Sequence, residues 1–155
     1  MDARRSRWVR GGRAVLWMAA LSALSACGSG ELVLGTKLSG EEALPSNSSF
    51  ASASAVARLF ELQRLEVSGT FGNLSSPLLE VEGSAIHLRH GPRGEVGSAV
   101  LPLRVETRDQ VSGAFNGHLD LNGEQLSAYM AGDFYLVIFT ESHPQGELRG
   151  QLGGD

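Results

Sequence analysis

The sequence predicts an all-β fold, a single antiparallel β-sandwich with Greek-key-like connections, and three observations carry that prediction. Short segments rich in β-branched and aromatic residues recur along the chain with Gly, Asn, Pro and Ser between them. Several of these segments alternate large apolar with polar residues at period two. No segment of helical periodicity is long enough to make a packing layer, so two sheets must pack on each other.

The N-terminus is a targeting segment, not part of that fold. Arg4, Arg5, Arg7, Arg10 and Arg13 form a basic region, and "AVLWMAALSALS" from Ala14 to Ser25 is apolar but too short to span a bilayer as a mature helix. It ends in "LSAC", Leu24 to Cys27, which resembles the bacterial lipobox: small residues at Ser25 and Ala26 admit a peptidase, and the acylated cysteine becomes the new N-terminus. The plainer alternative is an ordinary secretory signal with an incidental cysteine; the placement of the chain's one cysteine at the end of the apolar run favours lipidation. Residues 1–26 are therefore expected to be removed. Residues 27–31 make a short lipidated tether and 32–152 the domain. Gly28, not an acidic retention residue, follows Cys27, which points to the outer membrane over the inner one.

In the mature chain, strands are expected at roughly 31–38, 52–62, 64–71, 82–90, 97–106, 110–120, 134–141 and 146–152. In "RLEVSGTF" Leu65, Val67 and Gly69 face one way and Glu66, Ser68 and Thr70 the other. In "GELRGQL" Leu148, Gly150 and Leu152 oppose Glu147, Arg149 and Gln151, so one face reads as core and the other as solvated. Two helical turns are candidates: "EEALP", ended by Pro45, and "GEQLSAYMAGD", with Leu126, Tyr129 and Met130 on one side. "PSNSSFASASA" reads as a loop that feeds a strand.

Charge and cysteine content exclude several functions. Of 13 Lys and Arg and 17 Asp and Glu, the leader takes five arginines and Asp2, which leaves 8 basic and 16 acidic groups, net −8. A surface this acidic repels phosphate backbones, so nucleic acid is not an expected partner. With Cys27 acylated, the domain has no thiol for a disulfide, a nucleophile or a sulfur ligand. No serine lies in a G-x-S-x-G elbow, and "GPRGEVG" lacks the lysine and helix of a phosphate loop. Glu41 and Glu42 read as solvated charge.

Three stretches carry a resemblance as a set: "LSGEEALP" (Leu38 to Pro45), "SAIHLRHGPRGEVGSAV" (Ser84 to Val100) and "AGDFYLVIFTESHPQGELRGQL" (Ala131 to Leu152). Together they resemble the CHRD domain, the module repeated in chordin and found singly in bacterial exported proteins. The tail is similar to the family's P-x-G-E-(I/L)-R-G-Q ending. The resemblance implies a β-sandwich outside the cytoplasm with the tail as its last strand, and it implies little about activity.

The departures from the family pattern bear on chemistry. The family commonly reads H-I-H-x-G in the middle strand and Y-V-N-(I/V)-H-T before the tail; here these are "HLRHG" and "YLVIFT". His87 is kept, Arg89 stands at the second histidine, and Val137 and Phe139 replace the asparagine and histidine. Tyr135, Val137 and Phe139 are then expected to share a face and make it apolar. Two histidines at i and i+2 on a strand would begin a zinc or copper site, but Arg89 offers no lone pair and repels a divalent ion. His90 would point to the opposite face and His143 would lie in the turn. A metal site from His87, His90, His143 and Glu147 is the lesser reading, and His87 as a hydrogen-bonded residue at a sheet surface the greater. Arg89, Glu147 and Arg149 are expected to form an ion-pair network beside His87, a possible binding cluster. No metal, cofactor or catalytic residue is assigned. The expected function is a non-enzymatic envelope lipoprotein, structural or binding, attached to the membrane by its lipid and open to a protein partner. The alternative is a periplasmic metal-binding or redox β-sandwich.

Overall fold

The computed structural model describes residues 30–153, so the leader and Cys27 lie outside the described residues. The elements in chain order are β1 (Glu31–Leu38), β2 (Ser52–Phe60), β3 (Arg64–Gly72), β4 (Ile86–His90), β5 (Ser98–Pro102), β6 (Arg104–Thr107), β7 (Gly113–Asp120), α1 (Gly123–Met130), β8 (Phe134–Thr140) and β9 (His143–Leu152). They form a five-stranded sheet in the order β1-β2-β3-β7-β6 and a four-stranded sheet in the order β5-β4-β8-β9, antiparallel throughout. The two pack as a sandwich. β4 to β7 run consecutively and β8 returns to lie beside β4, which is the Greek-key arrangement.

Period-two alternation places the core as expected. In β2, Ala53, Ala55, Ala57 and Leu59 are buried while the residues between them are exposed. Leu65 and Val67 of β3 lie across from Leu59 and Ala57 in register, so one apolar row crosses both strands. Ile86, Leu88, Leu136, Ile138, Leu148 and Leu152 face them from the other sheet.

Both pairs of sheet edges are stitched together. At one side Ser39, just after β1, and Arg149 of β9 exchange backbone hydrogen bonds of 2.9 and 3.1 Å. At the other side the chain steps from β5 in one sheet to β6 in the other through buried Leu103, whose N–H donates to Ile86 O at 2.9 Å and whose carbonyl accepts from Ser84 Oγ. The segment 97–106, expected as one strand, is thus two strands in different sheets. Its continuous apolar pattern comes from a corner that stays buried while the chain changes layer.

Three further boundaries differ for physical reasons. β2 ends at Phe60 because Glu61 and Leu62 turn left-handed, with φ of 51° and 55°. β7 starts at Gly113 because Asp109 accepts from the N–H groups of Val111 and Ser112 and from Ser112 Oγ, which builds a turn there. "EEALP" is a turn rather than a helix: Gly40 O accepts from Ala43 N and Asn47 N, and Asn47 is drawn away to donate from Nδ2 to Glu147 O at 3.0 Å. The second helical turn does form. α1 carries a capping box between Asn122 and Gln125, buries Tyr129, and leads the chain from β7 of one sheet to β8 of the other.

The β1–β9 seam has no room for a side chain at Gly150, where a Cβ would meet Lys37 O at 2.5 Å and Leu38 Cγ at 3.0 Å. Gly150→Ala should force the seam apart and cost about 1–3 kcal/mol. Urea unfolding of the variant would measure this, and unchanged stability would mean that the seam is not closed in solution.

Candidate functional site

The second face of the four-stranded sheet, turned away from the core, collects the polar residues singled out in the sequence. β4, β8 and β9 run side by side, with Arg89 opposite Tyr135 and Tyr135 opposite Gln151 in one row, and His87 opposite Val137 and Val137 opposite Arg149 in the next. Phe139 and Glu147 follow beyond a bulge in the β8–β9 ladder. This face is covered by three segments, 40–49, 72–85 and 91–97, which bond to it as described below. Glu147, Arg149 and Gln151 are consequently 0%, 3% and 5% exposed, which corrects the reading of this side of β9 as solvated.

Each buried polar group is met by a covering segment. Glu147 Oε1 accepts from Ser49 Oγ and from Ser75 N at 2.9 Å, and Oε2 accepts from Thr140 Oγ1 at 2.8 Å. Burial works to raise the pKa of this carboxyl, but the donors from Ser49, Ser75 and Thr140 together outweigh it and hold the pKa below the ordinary glutamate value. Arg149 donates from Nη1 to Glu95 O at 2.7 Å and from Nη2 to Pro92 O at 3.1 Å and Gln151 Oε1 at 3.2 Å, while its guanidinium lies 3.8 Å over the Tyr135 ring. Burial lowers its pKa from the arginine norm, yet the group stays cationic. Gln151 Nε2 donates to Gly91 O and Gly132 O at 3.0 and 2.7 Å.

Arg89 and His87 are held the same way. Arg89 Nε and Nη2 both donate to Gly97 O, at 3.0 and 2.7 Å. Gly97 cannot carry a side chain, because a Cβ there would meet His90 O at 1.6 Å, and its N–H donates to Tyr135 Oη at 2.9 Å. His87 is fully buried, not at a surface: Nε2 faces Val81 O at 2.7 Å and Ser84 O at 3.1 Å and so must carry the proton. Its Nδ1 is then a buried acceptor with no partner among the described residues, and Phe139 packs edge-on at 5.5 Å.

The expected ion-pair network is therefore corrected. Among the described residues no salt bridge joins Glu147 to Arg89 or Arg149. The physical reason is that the loops bring carbonyls to the guanidinium groups and hydroxyls and an amide to the carboxylate, which satisfies each ion before its neighbour can. Nor do three His, Cys, Asp or Glu side chains converge as a metal-ligand group among the described residues. His90 stacks on Phe134 at 5.6 Å at the far end of β4.

A nucleophile, base and acid do come near each other in Ser75, His143 and Glu147. Ser75 Oγ lies 3.3 Å from His143 Nδ1, and Glu147 Oε2 lies 3.8 Å from the same nitrogen. A relay needs the two partners on opposite ring nitrogens, so this geometry cannot hold the ring from one side while it takes a proton on the other. Ser49, Ser75 and Thr140 went unseen in the sequence because Ser49 and Ser75 lie 98 and 72 residues from Glu147, and no local pattern links them. Between the covering segments a groove of about 370 Å³ remains open, with Tyr135, Val137 and Phe139 as an apolar floor and Arg89 and Arg149 beside it.

The family model for the CHRD domain matches residues 34–152. The chain belongs to the CHRD domain family. No curated protein and no solved structure matches it. The match spans every strand of the CHRD fold described above from within β1 to the end of β9, including all the residues of the covered face.

The depressed pKa of Glu147 makes stability depend on pH in a defined direction. A carboxyl whose folded-state pKa lies below its unfolded value contributes fully above the unfolded pKa of about 4.3 and loses that contribution as pH falls through the folded value. Glu147→Gln should lose about 1–3 kcal/mol at neutral pH, because an amide presents donors where Thr140 and Ser49 also donate. Its stability should also fall less steeply than wild type on acidification. Urea titrations at neutral and acidic pH decide the point, and parallel pH profiles for the two proteins would contradict it.

Proposed function

We propose that this CHRD protein is a non-enzymatic lipoprotein of the cell envelope, and that its β-sandwich serves as a binding module held near the membrane by acylated Cys27. One observation carries the binding role: the ionisable groups of the covered face are engaged by loop carbonyls, hydroxyls and an amide, and what stays open among them is a groove and not a reactive constellation. The Ser75–His143–Glu147 geometry argues against nucleophilic catalysis in the same direction. The anchor rests on "LSAC" after a basic and apolar leader, and Gly28 favours the outer membrane as its destination. Two or three acyl chains on one cysteine would hold the protein on a membrane durably, where one would not. The partner would be another envelope component, and the net −8 charge after the leader speaks against nucleic acid.

Metabolic labelling with radioactive palmitate tests the anchor. The wild-type protein should incorporate label and fractionate with membranes, and Cys27→Ser should abolish labelling and move the protein to the soluble fraction. Label that survives the substitution would refute lipidation at this site.

A further inference from the structure

The groove on the covered face differs in charge from the rest of the molecule. The chain after the leader carries net −8, yet the groove is lined by two arginines and by no acidic side chain. Neither arginine has a carboxylate within ion-pairing distance among the described residues. Arg149 is fixed over Tyr135 and spends its Nη donors on Glu95 O, Pro92 O and Gln151. Arg89 spends Nε and Nη2 on Gly97 O, and its Nη1 has no hydrogen-bond partner among the described residues. That nitrogen is not sealed off as a buried unpaired atom either, so it is open to a ligand.

Beside these fixed positive charges lies an apolar track. Tyr135, Val137 and Phe139 succeed one another on one side of β8, which spans about 14 Å at the rise of an extended strand. Val96, 73% exposed, stands at the rim. Two of the segments that flank the groove, 40–49 and 91–97, are joined by the ion pair of Arg93 with Glu42. Its volume lies at the small end of the range of ligand pockets, roughly 300–1,000 Å³, which fits one ring or a short chain and not a phospholipid.

We propose that this groove binds a small amphipathic carboxylate, with its charged end at Arg89 Nη1 in the field of Arg149 and its apolar body along Val137 and Phe139. A carboxylate matches the planar donor edge of a guanidinium. Free phosphate would find the open donors of Arg89 and Gln145 above an apolar floor, which leaves part of its oxygens unpaired. The inference deepens the binding role proposed above and does not depend on the lipid anchor. Failure of palmitate labelling would therefore leave it standing, and its own failure would leave the anchor standing.

Calorimetric titration of the full-length chain in nonionic micelles tests it, with phenylbutyrate as the probe and phenylbutylamine, phenylbutanol and inorganic phosphate as matched cation, neutral and bare-anion controls. Phenylbutyrate should bind saturably at one site. Phenylbutanol should bind roughly tenfold or more weakly, the factor that one charge-assisted hydrogen bond provides, and the amine and phosphate should not bind measurably. Arg89→Gln keeps a donor for Gly97 O while removing the charge, and Val96→Asp adds a negative charge at an exposed position that the fold does not need. Each should weaken phenylbutyrate binding about tenfold. Equal affinity for acid, amine and alcohol, affinity untouched by Val96→Asp in a variant with wild-type circular dichroism, or no saturable phenylbutyrate binding at millimolar concentration would each overturn the proposal.

Discussion

Burial of the β8–β9 hairpin on both faces is the constraint from which the rest of the structure follows. β8 meets it with an apolar run from Phe134 to Phe139, the composition that a strand covered on both sides requires. β9 does not: its outward residues are Glu147, Arg149 and Gln151. An ion buried without a partner costs several kcal/mol, so each of these residues has to be matched by donors or acceptors. The covering segments supply them. What organises residues 40–49, 72–85 and 91–97, which hold little regular structure of their own, is in good part the demand of three side chains on one strand.

The closure of the sandwich makes this arrangement possible. Because β9 is pinned just past the end of β1 through the Ser39–Arg149 bridge, and β5 continues into β6 through Leu103, the two sheets are joined at both sides. The long connections lie on a sheet face. The turn after β1 illustrates the coupling. Ser39 closes the seam by backbone pairing with Arg149, and a few residues later Asn47 and Ser49 reach Glu147, so one loop serves both the edge and the covered face.

How much of this was legible in the sequence follows from the range of the interactions involved. Period two in β2, β3 and β9 was enough for the fold class and for which residues share a face, since alternation is local. It placed Glu147 with Arg149 and Tyr135 with Val137 and Phe139 correctly. The helix at Gly123 was legible too, because Leu126, Tyr129 and Met130 recur at helical spacing within one short stretch. The split at Leu103 was not, because a corner buried on the inside looks like a continuing strand. The left-handed turn at Glu61 and Leu62 uses residues without turn preference. Most of all, the burial of Glu147 and Arg149 was invisible. Alternating charges on a strand read as a solvated face unless the covering loops are known, and those loops come from segments about a hundred residues earlier for Glu147 and more than fifty for Arg149.

The covered face also brings together residues that the sequence scatters. His87 and Arg89 are distant in sequence from Val137 and Phe139, yet they are neighbours in the sheet: His87 pairs with Val137, Arg89 stands one strand from Tyr135, and Phe139 packs on the His87 ring. That one patch is an apolar floor with a cation at its side. The Nε2–H of His87 ties the turn at Val81 and Ser84 to β4. Its Nδ1 is buried beside Phe139 with no partner among the described residues, an acceptor that a polar neighbour would satisfy and an aromatic edge does not.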